Sequence, residues 1–234
     1  MHTNEVARVI AGEAGGRRLT VPGGRQTRPT SDRAREGLFA TVTSIVGPLA
    51  GLRVLDLYAG SGAVGLEALS RGAEHVLLVE SDARAARVIR ENIDAIGLPG
   101  ATVITDRVER ALARGPAPIP ARDPDPARDP DPADAPDPAG ATRPALAPGS
   151  GAGRYDIVFA DPPYAAPDEE VTRVLSLLAG AGWLAPGALV VVERATRSGP
   201  VRWPGGPEGF VPDRARRYGE ATFWYGLGPG VQPS

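Results

Sequence analysis

VLDLYAGSGAVGLEALSRG, Val54 to Gly72, passes from a short apolar run through a glycine-rich turn into a stretch that favours helix. Val54, Leu55 and Leu57 make the run, and Ala59-Gly60-Ser61-Gly62 make the turn. Val64, Leu66, Ala68 and Leu69 recur in the stretch that Gly72 ends. The pattern predicts strand, tight turn, helix. Glycines in such a turn allow positive φ and close backbone approach. The N–H groups of the helix that opens there point back over the turn.

Gly60, Gly62 and Gly65 spell G-x-G-x-x-G, a dinucleotide fingerprint. A second apolar run, His75 to Val79, ends in Glu80, twenty positions after Gly60. An acid at the end of a second strand suits a ribose diol, because its carboxylate accepts both hydroxyl protons. The stretch therefore points to a nucleoside-containing cofactor. NAD and S-adenosylmethionine both carry adenosine, and these residues do not choose between them.

Asp161-Pro162-Pro163-Tyr164 follows the apolar run Tyr155 to Ala160, which places it at the carboxyl end of a strand. Open α/β sheets bind ligands at that edge. Two prolines stiffen the backbone and remove two N–H donors. What remains is a carboxylate, rigid carbonyls and an aromatic ring, a set suited to an exocyclic amine on a flat nucleobase.

Asp56 to Gly65 and Asp161 to Tyr164 resemble motifs I and IV of the class I S-adenosylmethionine-dependent amino-methyltransferases. The segment Arg28-Pro29-Thr30-Ser31-Asp32-Arg33-Ala34-Arg35-Glu36, followed by Leu38-Phe39, is similar to the RsmD family, which methylates N2 of a guanine in small-subunit (16S) ribosomal RNA. The resemblance implies an α/β, Rossmann-like class I methyltransferase. Its sheet would have seven mainly parallel strands, a closing antiparallel hairpin and a small N-terminal β-hairpin extension. S-adenosylmethionine would be held by Asp56, Tyr58, Gly60, Gly62, Glu80, Ser81, Asp106 and Arg107. Asp161, Pro162, Pro163 and Tyr164 would hold the target amine. Asp106 would accept the adenine amino proton, with a helix N-cap as its competing role. The D-P-P-Y tetrapeptide is shared with enzymes acting on adenine N6 of DNA or RNA, which stay as an alternative. An NAD-dependent oxidoreductase is a further one, and a non-catalytic RNA-binding module another.

The 234-residue chain suffices for one substantial domain, with 42% hydrophobic residues. It lacks an apolar run long enough for a membrane helix and opens without a secretory pattern, so a cytoplasmic protein is expected; a monomer is expected as well. Cysteine is absent, which excludes disulfides, thiolate metal sites and methyl transfer by a cysteine nucleophile. Two histidines, His2 and His75, leave little for a metal, and none is expected. All 26 basic residues are arginine, which pairs with phosphate and stacks on bases.

Taken in order, Val6 to Ala11 and Arg18 to Val21 read as a hairpin in a basic extension over residues 1–30. Arg17, Arg18, Arg25 and Arg28 of this extension, with Arg33 just beyond it, are the candidate RNA contacts. Thr30 or Ser31 caps a helix from about Asp32 to Ile45, on which Arg33 and Arg35 are read as site residues or surface charges. Asp82 to Ile96 forms a helix with Val88, Ile89, Ile93 and Ile96 inward, and Thr102 to Ile104 a third strand. The methyltransferase domain spans 31–226. Residues 115–153 within it are a Pro/Ala/Asp-rich insertion expected to be disordered. Val171 to Leu178 reads as helix, Trp183 to Gly187 as a turn and Ala188 to Val192 as a buried strand. Residues 194–217 form a second basic patch. Arg214 to Tyr218 and Ala221 to Tyr225 close the sheet, and 227–234 is a loose tail. Small-subunit ribosomal RNA, or an assembly intermediate containing it, is the expected partner, away from membranes.

Overall fold

The computed structural model describes residues 7–23, 31–118, 153–205 and 209–230. Seven strands form one sheet in the order β5-β4-β3-β6-β7-β9-β8: β3 (Arg53–Leu57), β4 (His75–Glu80), β5 (Ala101–Thr105), β6 (Tyr155–Ala160), β7 (Leu184–Ala195), β8 (Val211–Tyr218) and β9 (Ala221–Leu227). β3 to β7 pair in parallel, and β9 and β8 add an antiparallel hairpin at one edge. A two-stranded hairpin, β1 (Ala7–Arg8) with β2 (Arg18–Leu19), precedes them.

Helices α1 (Asp32–Val46), α2 (Ala63–Ser70) and α3 (Ala83–Ile96) cover one face of the sheet. α4 (Val108–Ala113) and α5 (Asp168–Gly180) cover the other. The central strands are buried on both faces, so their sequences are continuous apolar runs rather than alternating ones. Ser31 caps α1 by accepting from the Ala34 amide at 3.2 Å. Asp82 caps α3 by accepting from Arg84 and Ala85. On α3, Ile89 and Ile96 are buried as predicted, Val88 and Ile93 are half-buried, and Asn92 is buried between them.

The N-terminal hairpin is stitched to this body by charges that the sequence presents as ordinary helix residues. Glu67 of α2, fully buried, accepts from the Ile10 and Ala11 amides at 2.6 and 3.1 Å and from Arg71 Nε at 2.7 Å. Arg35 is also buried, not a surface charge, and it donates to the Arg8 carbonyl and to Asp32. Asn92 accepts from the Thr20 amide and donates to the Thr20 and Ser61 carbonyls.

Two further expectations need correction. The Trp183 to Gly187 segment is not a turn before a strand, because β7 already begins at Leu184. Tyr155 pairs with Leu184 but Ile157 pairs with Leu189, so Ala185-Pro186-Gly187 bulges out of a continuous ladder. A bulge accommodates the proline, which lacks the N–H a regular ladder needs. The tail is not loose from residue 227: Leu227 is a buried β9 residue, the Gly228 amide donates to the Ala188 carbonyl, and the Gly187 amide to the Pro229 carbonyl. Most of the stretch expected to be disordered, residues 119–152 of 115–153, lies outside the described residues, as do Arg25, Arg28 and Thr30. The flanks of that segment meet: a Cβ built on Gly153 would lie 3.0 Å from the Ala117 carbonyl oxygen and 3.2 Å from Pro116 Cβ.

Candidate functional site

From β3 the chain moves outward through β4 to β5, then returns to place β6 on the other side of β3. Strand order reverses between β3 and β6, and a crevice opens there at the carboxyl ends of the strands. Tyr58 and Asp161 are the first residues beyond those two ends, and the Asp161 amide donates to the Leu57 carbonyl at 3.3 Å. Topology thus joins two motifs about a hundred residues apart in sequence.

The crevice has a volume of about 300 Å³, at the lower end of the range for small-molecule sites. Its walls include Asp56, Tyr58, Gly60, Glu80, Ser81 and Arg107 on one side and Asp161 to Tyr164 on the other. Gly62 and Asp106 are not among its lining residues. Gly62 instead holds the left-handed position (φ 77°) that opens α2. Gly65 is set by close approach, since a Cβ there would lie 2.8 Å from Val76 Cγ1, and its amide donates to Asp56 at 2.8 Å. Asp106 accepts from its neighbour's amide and from Arg114, with Arg110 at 3.6 Å.

Glu80 is buried, and both its carboxylate oxygens accept backbone amides, Gly60 at 2.9 Å and Asp82 at 2.7 Å. The Ser81 hydroxyl lies 3.4 Å from the same oxygen that Asp82 reaches, so the carboxylate is held in a fixed orientation at the crevice wall. Tyr58 holds a positive φ (63°), uncommon for a residue with a side chain. Its hydroxyl is buried without a hydrogen-bond partner among the described residues. Arg35, read from the sequence as either a site residue or a surface charge, lines the crevice.

Charge in the crevice is unbalanced. Asp56, Glu80, Glu109, Asp161 and Glu170 face it against Arg35 and Arg107. Burial pushes the Asp56 carboxyl up to about 7, with the Gly65 amide opposing and Glu80 adding to the shift. Asp161 is exposed as a residue, although protein atoms crowd its carboxyl. That enclosure, then Glu193 and Asp56, hold its carboxyl well above the usual range. Such a crevice favours a cation. Pro162 is buried, while Tyr164 stands at the rim, 44% exposed. The Pro163 carbonyl accepts the Ala166 amide, whereas no backbone bond among the described residues reaches the Pro162 carbonyl.

Of the proposed RNA contacts, Arg18 and Arg33 are exposed. Arg17 donates to the Ala95 and Ile96 carbonyls and so caps the C-terminus of α3. His75 is a buried strand residue beside Thr102 and Tyr155, and no metal-binding cluster occurs among the described residues. No helix among them is long and apolar enough to cross a membrane.

The strand order, the glycine turn and the D-P-P-Y edge define a class I methyltransferase. A family model described as conserved hypothetical protein 95 matches residues 7–119 and 139–226. The chain belongs to that family, the RsmD methyltransferases. It is 31% identical over 200 residues to the ribosomal RNA small subunit methyltransferase D of Escherichia coli K12, covering 84% of this chain and 80% of that one. It is 43% identical to the "putative rRNA methyltransferase YlbH" of Bacillus subtilis over 107 residues, 45% of this chain and 56% of that one. The solved structure of the "putative methyltransferase yhhF" from E. coli superposes with a TM-score of 0.70 at 26% identity, covering 97% of this chain and 99% of that one. Family membership removes the oxidoreductase reading and the non-catalytic one.

Proposed function

We propose that the protein transfers the methyl group of S-adenosylmethionine to the exocyclic N2 amine of a guanine in small-subunit ribosomal RNA. The observation that carries this is the meeting of the Gly60 turn and Asp161 across one crevice at the switch point of the sheet. The relatives named for small-subunit RNA methylation support the substrate.

The crevice fits the cofactor on its own chemistry. Its excess of carboxylates suits a cationic ligand, and Glu80, fixed by two amides, suits a ribose diol. When bound, S-adenosylmethionine supplies an electrophilic methyl group on a sulfonium. Asp56, Tyr58, Gly60, Glu80, Ser81 and Arg107 would hold it.

A guanine amine is a poor nucleophile because its lone pair is delocalised into the ring. Asp161 and the Pro162 carbonyl accept its two N–H protons and favour a localised lone pair. Tyr164 stacks on the base at the crevice rim. The remaining contribution is alignment of the amine with the methyl group. The nitrogen sheds one proton after transfer, and Asp161, with its raised pKa, is suited to take it. A target base within RNA must leave its stack to reach this edge.

Mass spectrometry of nucleosides from RNA of a strain lacking the gene tests the reading. Loss of N2-methylguanosine at one small-subunit position, and its return with the gene, is the expected result. A change confined to N6-methyladenine would overturn it.

A further inference from the structure

Asp161 is flanked by two other carboxylates. The order β3-β6-β7 and the pairings Asp56↔Phe159 and Ala160↔Val192 place Asp56, Asp161 and Glu193 on one sheet face, Asp161 level with Glu193 and Asp56 one same-face step earlier, level with Phe159. Asp161 and Glu193 lie one residue beyond the last β6–β7 pair, on strands about 5 Å apart. Asp56 is on the glycine-turn side, and its Oδ2 already accepts the Gly65 amide. Glu193 is on the opposite side, away from the turn, and is 7% exposed. Arg194 faces the other way and is engaged with Asp168 and the Ala166 carbonyl. Besides burial, the charges of Glu193 and then Asp161 act on the Tyr164 hydroxyl, although Glu193 is not itself among the residues that line the crevice.

Two neighbouring acceptors select among bases by elementary donor patterns. Guanine presents two adjacent donors, N1–H and N2–H. Adenine sets the acceptor N1 beside its N6 amine, and cytosine sets the acceptor N3 beside its N4 amine. A second carboxylate beside Asp161 pairs with the first pattern and repels the other two.

We propose that Glu193 is the residue that selects guanine, accepting its N1–H while Asp161 accepts from the N2 amine. The inference rests on the guanine reading above and gives it a residue. Asp161 addresses a group that all three bases share, whereas Glu193 addresses one that guanine alone carries next to its amine. Discrimination of this kind is large, because a site built for a hydrogen bond leaves a buried charge facing a lone pair when the analogue lacks the donor.

The test uses the full-length protein and RNA carrying the mapped target position as guanosine, as 2-aminopurine or as adenosine. 2-Aminopurine keeps the 2-amine but has an acceptor at N1. Wild-type kcat/KM should favour guanosine over 2-aminopurine by about 10²-fold or more. In Glu193→Gln, whose amide can donate to N1, the preference should narrow to within roughly tenfold, with the guanosine rate reduced. A structural role for Glu193 would lower both rates together and leave their ratio unchanged, which overturns the inference. Equal wild-type rates on guanosine and 2-aminopurine would overturn it without any variant. Wild-type transfer to adenosine alone would overturn the guanine reading and this inference with it.

Discussion

The Asp161 amide donates to the Leu57 carbonyl at 3.3 Å, so the residue proposed to address the substrate is suspended from the strand that leads into the glycine turn. That bond uses only the Asp161 backbone and leaves the carboxylate to the crevice. Asp161→Ala should therefore keep the strand ends together while removing the group that orients the amine. Methyl transfer should fall at least 10²-fold, with S-adenosylmethionine binding within about tenfold of wild type. Calorimetry with the cofactor and a transfer assay measure the two quantities, and near-normal turnover would refute the role.

The crevice carboxylates predict the direction of a pH effect. Asp56 titrates near 7 in the folded protein against 3.8 ordinarily, with Glu80 and Asp161 as acidic neighbours and Arg35 facing the same space. A carboxyl raised in this way contributes stability below its ordinary pKa, and that contribution is lost as pH rises through about 7. The cofactor-free protein should melt higher at about pH 5 than at about pH 8 on account of this group. A cation binds the ionised form, so cofactor affinity should rise with pH up to about 7, with protons released on binding below that. Calorimetry in buffers of different ionisation heat counts them. Affinity independent of pH would contradict the acidic-crevice account.

Local patterns were legible in the sequence because their causes are local. The Gly60 turn, the proline-stiffened edge at Asp161 and the caps at Ser31 and Asp82 follow from backbone chemistry within a few residues. Arg35, Glu67 and Glu193 were not legible as buried charges. Each stands in an ordinary helical or strand pattern, and only the packing of α1, α2 and the central strands removes it from water. The bulge at Pro186 was misread for the opposite reason. Proline and glycine signal a turn locally, yet the β6 and β9 ladders on either side hold β7 as one strand.

Glu67 offers a stability test. It accepts two backbone amides of the N-terminal segment and Arg71, and Arg35 Nε lies 3.9 Å away. Glu67→Ala strands those donors and leaves the buried Arg35 guanidinium with Asp32 alone as its carboxylate partner. The expected cost is about 3 kcal/mol, a fall in Tm on the order of 10 °C for a domain of this size. Thermal unfolding would show it, and a change below about 2 °C would mean that the network contributes little.

Arg17 and Arg18 should separate under charge reversal, although they are adjacent. Arg17 caps α3 through the Ala95 and Ile96 carbonyls, so Arg17→Glu should lower Tm. Arg18 is exposed, so Arg18→Glu should leave Tm unchanged while weakening RNA binding and reducing its salt slope by about one. Filter binding across a salt series checks the second. An unchanged slope would remove the hairpin from the RNA contact.

The Pro/Ala/Asp-rich stretch should be dispensable for fold and activity. Its two flanks converge, Gly153 lying against Pro116 and Ala117, so the chain leaves and re-enters the body at one point. The family model matches residues 7–119 and resumes at 139, leaving the intervening residues without counterpart. Neither flank lines the crevice. Because the ends already meet, a short Gly/Ser linker replacing residues 119–152 closes the gap without moving α4 or β6, and loop-closure entropy changes by only about 1 kcal/mol. Tm and turnover on small-subunit RNA should match the parent protein within error. A loss of turnover at unchanged Tm would show that the stretch engages the substrate particle, and a large fall in Tm that it packs on the domain.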